Sequence, residues 1–91
     1  MKRAKFALGQ IVATPGALEV MKAAGIDGVA LLSRHVTGDW GDLDEADKQE
    51  NELSVQKGFR ILSAYGRGET RLWVITEADR SVTTILRPDE Y

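Results

Sequence analysis

The sequence predicts an α+β domain in the order β-α-α-α-β-β-β, an antiparallel sheet of three to four strands with helices packed on one face. Three observations carry this reading. In the first part of the chain, apolar residues recur at helical spacing between capping signals, and from residue 59 onward the apolar period changes to two. The changeover falls in one polar stretch, residues 34–52, which holds the only histidine, one of the two tryptophans and half of the acidic residues. The 91 residues make a single domain, 1–91, with room for one modest core.

Residues 5–13 read as the first strand. Phe6, Leu8 and Val12 fall on one side and Ala7, Ile11 and Ala13 on the other, a pattern that suits an interior strand although Gly9 weakens it. Met1 to Val12 has the basic start of a signal peptide, but Gly9, Gln10 and Pro15 interrupt the apolar run, so the segment reads as a strand with a basic lead-in. Thr14 can cap a helix and Pro15 suits its first position. Ala17, Leu18, Met21 and Ala24 then repeat at helical spacing before Gly25, giving a helix over 15–24. Asp27 caps a second helix over 28–37, with a stripe of Val29, Leu32 and Val36 beside Leu31 and a stop at Gly38.

Asp42-Leu43-Asp44-Glu45 has capping-box spacing, so a third helix is expected from about 43 to 57, ending at Gly58. Its apolar stripe is thin: Leu43, Ala46 and Leu53. Asp47 and Asn51 share one face, either for a polar contact to the sheet or simply exposed. Strands follow over 59–65, 70–76 and 82–87, joined by the turn 66–69 and the polar loop 77–81 and ended by Pro88. Hairpins make these three antiparallel. The first strand joins them at a position the sequence does not specify.

Composition narrows the function classes. With 43% hydrophobic and 29% charged residues the chain is globular rather than disordered. The absence of cysteine removes disulfide frameworks and thiolate metal sites. No apolar run approaches the ~18 residues that span a bilayer, so a cytoplasmic, membrane-free protein is expected. The net charge of −2 hides a division. Residues 39–52 carry seven acids and one base, a net −6; the remainder carries seven acids and eleven bases, a net +4. Such a segment is either a solvated helix face or a surface for a basic partner.

His35…Gly38-Asp39-Trp40-Gly41, Asp47 with Asn51, Ser63-Ala64-Tyr65, Trp73 through Ser81, Thr83-Thr84-Ile85-Leu86 and Pro88…Tyr91 resemble a family of small bacterial proteins found on plasmids, phages and other mobile elements. The resemblance covers nearly the whole chain. Some members carry labels such as plasmid-related protein or restriction–modification subunit, but a chain of this size holds no methyltransferase or helicase domain. The resemblance implies a mobile-element setting and no mechanism.

Two functions from different classes fit the residues. The first is an interaction protein that presents Asp39, Trp40, Asp42, Asp44, Glu45, Asp47 and Glu50 to a basic protein partner, a host defence or nucleic-acid-binding protein among the options. The second is a metal-independent ribonuclease on the general plan of barnase and RelE-type toxins, with His35, Tyr65, Arg80 and Thr84 on the sheet and its flanking helix. His35 would be its acid or base, near neutral pKa at a helix end whose dipole favours the charged form, and Arg80 its phosphate clamp.

Trp40, between two glycines, is either a core plug or an exposed anchor. In the loop 77–81, Asp79 suits a turn in which it bonds its own backbone, and Arg80 either holds a phosphate or carboxylate or ties the loop to the acidic helix. Arg60, Arg71 and Arg87 either line one face with Trp73, as a nucleic-acid platform would, or blunt a sheet edge. The acidic run does not follow calcium-loop spacing, and Gly66-Arg67-Gly68 joins two strands rather than opening a helix. No metal or cofactor is therefore expected.

Overall fold

A computed structural model describes residues 3–91; Met1 and Lys2, the start of the basic lead-in, lie outside the described residues. The described chain is an α+β fold of three helices and four strands: β1 (Gln10–Ala13), α1 (Pro15–Ala24), α2 (Gly28–Val36), α3 (Glu45–Lys57), β2 (Ile61–Tyr65), β3 (Leu72–Thr76) and β4 (Val82–Leu86). Single 3-10 turns follow β2 (Gly68–Thr70) and β4 (Pro88–Glu90). The sheet order is β1-β4-β3-β2. β2, β3 and β4 form the expected antiparallel meander, and β1 joins β4 in parallel, making the sheet mixed. The two edge strands are therefore the two that flank the helical segment.

α1 and α2 cover one face. Ala17, Leu31 and Leu32 pack there on Tyr65, Leu72, Val74 and Ile85, residues that alternate along their strands as the period of two requires. Thr14 accepts from Ala17 N–H and Asp27 from Val29 N–H, so both predicted caps form. The buried stripe of α2 differs from the expected one. It runs through Leu31, Leu32 and His35, while Val29 is 73% exposed. The helix turns its histidine inward because hydroxyls on the sheet receive it.

The first strand is shorter than the expected 5–13, and it is an edge strand rather than an interior one. Gly9 adopts φ +65, and a Cβ there would collide with the Ser81 carbonyl oxygen. Glycine lets the chain turn hard against the sheet at that point. Before it, residues 3–9 form an arm: Lys5 N–H donates to Val36 O (2.7 Å), and Leu8 packs on the core. The apolar residues on both sides have two separate causes: Leu8 packs in the core, whereas Ile11 and Val12 are exposed on the open edge.

α3 begins two residues later than expected. Asp44, not Asp42, is its N-cap, accepting from Asp47 N–H (2.8 Å). Its expected stripe of Leu43, Ala46 and Leu53 is not what it buries. Ala46 is exposed, Leu53 is 41% exposed, and the buried residues are Asn51 and Ser54. A helix without an apolar face must dock by hydrogen bonds, and α3 lies along the β2 edge, where backbone groups are available for them. The opposite face of the sheet carries Leu62, Trp73, Thr84 and Val12, with Tyr91 packed edge-on to Trp73 (5.7 Å between ring centres).

Candidate functional site

The stretch from Gly38 into α3 finishes the β2 edge. Along β2, Ile61, Ser63 and Tyr65 bond to β3, so Leu62 and Ala64 turn their N–H and C=O groups outward. Each of these four groups has a partner. Asn51 donates its amide N–H to Leu62 O (2.7 Å) and accepts from Leu62 N–H (3.2 Å), acting as one residue of a neighbouring strand. Ala64 N–H donates to Trp40 O (3.2 Å), and Asp42 N–H donates to Ala64 O (2.6 Å), a single parallel bridge at Gly41. Gly41 sits at φ +79, and a Cβ there would strike the Ala64 carbonyl oxygen. Only glycine brings the two backbones this close. One residue further, the Asp42 carboxylate accepts from Gly66 N–H (2.9 Å) and Arg71 donates to Gly66 O (3.2 Å) and Asp42 O (3.2 Å).

Behind this cover, His35 is fully buried in a chain of hydroxyls. The chain's polarity follows from its far end. The Leu8 carbonyl can only accept, so Thr83 donates its hydroxyl proton there (2.7 Å). Thr76 must then donate to Thr83 (2.7 Å), and His35 Nε2–H to Thr76 (2.9 Å). Nδ1 is left to accept from the Ser63 hydroxyl (2.6 Å). His35 is thus a neutral imidazole with both nitrogens satisfied. Burial pushes its pKa down to about 4. The expected near-neutral, dipole-supported histidine is corrected: desolvation of the charged form outweighs the helix dipole. Phe6 and Trp40 close over the ring, at 5.1 and 6.2 Å between centres.

Ser63 against His35 has the spacing of a nucleophile and its base. Both side chains are 0% exposed, so the pair meets no substrate and serves as a polar core. The structure does not bring the other ribonuclease candidates to it. Tyr65 is buried, donates its hydroxyl to Asp39 O (2.6 Å), and is pushed up to about 12 by that burial. Thr84 pairs with Ile75 on the face opposite Thr83 and Thr76. Arg80 is occupied: its guanidinium donates to Phe59 O (2.7 Å), Ser54 O (3.0 Å), Glu77 O and Ala78 O (both 3.2 Å). It ties the loop to the C-terminal carbonyls of α3, where a cation is favoured, and not to the helix's acids. Arg80 adopts φ +60 to do so, and Asp79 accepts from Ser81 N–H (3.0 Å) beside it.

The predicted binding residues divide into two groups. Trp40 is 4% exposed and donates its indole N–H to Glu52 (2.7 Å); it is the core plug, not an exposed anchor. Asp39 pairs with Arg34 (2.6 Å) and accepts from Gly41 N–H, Asp42 holds the β2 edge, and Asp44 caps α3. Glu52 binds Trp40 and Lys5. Glu45, Asp47 and Glu50 are exposed, and among the described residues their carboxylates make no hydrogen bond or ion pair.

Asp47 and Glu50 also line a groove of about 390 Å³ between α3 and the open sheet face, opposite Arg60, Arg71 and Trp73. The expected clustering of Arg60 and Arg71 with Trp73 is present there, but two carboxylates face it, while Arg87 pairs with Asp89 (3.0 Å). Sequence reasoning missed Asn51 as an edge cap, although its spacing four residues after Asp47 marked it as a possible sheet contact. Among the described residues no group of three His, Asp or Glu side chains is placed to hold a metal ion, and no helix is long and apolar enough to cross a membrane. Comparison of the chain with protein-family models, curated proteins and solved structures gives no match.

Proposed function

We propose that this chain is a small interaction protein whose α3 presents an acidic face to a basic protein partner. The observation that carries the reading is the division of labour among the acids. Asp39, Asp42, Asp44 and Glu52 are spent on the fold, while the carboxylates of Glu45, Asp47 and Glu50 are exposed and bond to no group within it. The partner's chemistry follows from the charge: a lysine- or arginine-rich surface, such as that of a nucleic-acid-binding or host defence protein, for which carboxylates stand in for phosphates. The resemblance to mobile-element proteins supplies a setting in which such a partner is met. No observation favours the ribonuclease alternative, since its residues are sealed, occupied or on opposite faces.

The test is affinity capture with the wild-type chain and with Glu45→Gln/Asp47→Asn/Glu50→Gln. Wild type is expected to retain a basic protein that elutes as salt rises, because exposed charges are screened within about 10 Å at 0.1 M salt. The triple variant is expected to lose it. Equal recovery by both, or a partner that is not basic, contradicts the proposal.

A further inference from the structure

β1 is the unfinished edge of the sheet. Gln10 N–H donates to Ser81 O (2.9 Å) and Thr14 N–H to Ile85 O (3.0 Å), with Val12 opposite Thr84 between them. Successive strand amides point to opposite sides. Gln10, Val12 and Thr14 therefore face β4, and the N–H and C=O of Ile11 and Ala13 face away from the sheet. Gln10, Ile11 and Val12 are exposed, Ile11 by 50%. The strand Gln10–Ala13 has no charge and no proline, the devices that usually keep an edge from pairing. A row of alternating donors and acceptors at this spacing fits one kind of partner, another extended strand.

We propose that β1 pairs antiparallel with β1 of a second copy, joining two four-stranded sheets into one of eight strands. The edge itself selects the copy and the register. Placing Val12 on a two-fold axis sets Ile11 opposite Ala13 of the other chain and Ala13 opposite its Ile11, and each such pair exchanges two hydrogen bonds. Four bonds form. A register centred on Ile11 would oppose Ala13 to Gly9, which is held at φ +65 out of the strand. One centred on Ala13 would oppose Ile11 to Pro15, which has no N–H. Gly9 and Pro15 thus fence the edge to one self-complementary pairing, and an uncharged strand carries no repulsion between copies. The short ladder makes the dimer weak, dissociating at about 0.1–1 mM. The surface lies at the far edge from α3 and does not depend on the acidic-face reading.

The registered pair places the two Val12 side chains directly opposite, about 4.5–5.5 Å apart at Cβ, near the range a disulfide spans. The chain has no cysteine of its own. Val12→Cys is expected to oxidise to a covalent dimer much faster than Leu18→Cys, a control at a more exposed site on α1 (54% against 39% for Val12). Sedimentation of the wild type up to about 1 mM is expected to show a mass rising with concentration. Ile11→Pro, which removes an outward N–H and leaves the bonds to β4 in place, is expected to stay monomeric while melting as a folded protein. A wild type that is monomeric throughout overturns the second-copy assignment and leaves the edge to strand addition by a different chain. Dimerisation unchanged by Ile11→Pro, or Val12→Cys crosslinking no faster than Leu18→Cys, overturns it equally.

Discussion

At the β2 edge, every outward backbone group of Leu62 and Ala64 has a partner within the chain: the Asn51 amide, the Trp40 carbonyl and the Asp42 N–H. At the β1 edge, the equivalent groups of Ile11 and Ala13 face outward beside exposed apolar side chains. Both strands border the same sheet, yet one is covered by fourteen residues, 38–51, and the other by none of the described residues. The difference explains what the polar stretch 38–51 does within the fold. Gly41, Asp42 and Asn51 hold positions that only their own side-chain chemistry can fill, and those positions complete a sheet. Exposed acids on α3 and the open edge of β1 take no part in that completion.

Breaking the cover should have the largest effect. Asn51→Leu preserves size and leaves the Leu62 N–H and C=O without partners beneath α3, at a cost of about 2–4 kcal/mol. Ile11→Pro at the other edge should change monomer stability by less than about 1 kcal/mol. Urea unfolding of the two variants measures the contrast directly; equal losses would show that the edges are not finished differently.

Acid should separate the interior network from the edge cover. The folded-state pKa of His35, about 4, lies below its ordinary 6.5, so in this interval the unfolded chain binds a proton that the folded chain does not. Stability is therefore full above about pH 6.5 and is lost as pH falls toward 4, by up to about 3 kcal/mol. Denaturant midpoints taken in steps across this window should fall steadily. A flat profile down to pH 4.5 would contradict the buried neutral imidazole.

The smallest effect belongs to the free acids. Glu45→Gln/Asp47→Asn/Glu50→Gln should move stability by no more than about 1 kcal/mol, the scale of lost favourable charge near a helix N-terminus. A loss several times larger would mean that these carboxylates serve the fold rather than a partner.

Much of this fold is legible in the sequence, because local chemistry sets it. Thr14-Pro15 and Asp27 start α1 and α2, and the period of two read from residue 59 marks the meander, whose first strand starts at Ile61. What was not legible depends on tertiary partners. The inward turn of His35 needs Ser63 and Thr76, distant in sequence and placed by the sheet. The shift of the α3 cap from Asp42 to Asp44 arises because Gly66 N–H claims the Asp42 carboxylate. The parallel placement of β1 beside β4 leaves no local signal at all, since an interior strand and an open edge with a packed arm both show apolar residues on two sides. In the candidate site, Glu45, Asp47 and Glu50 could be read as acidic surface from composition alone. The burial of Trp40 could not, since flanking glycines serve a plug and an anchor equally well.

Amide hydrogen exchange, resolved by residue in dilute solution, compares the two edges in one sample. The amides of Leu62, Ala64 and Gly66, each donating to the cover, should exchange at rates set by opening of the β2 edge and its cover, orders of magnitude slower than those of Ile11 and Ala13. Exchange at Leu62 and Ala64 as fast as at Ile11 and Ala13 would contradict the sealing of β2.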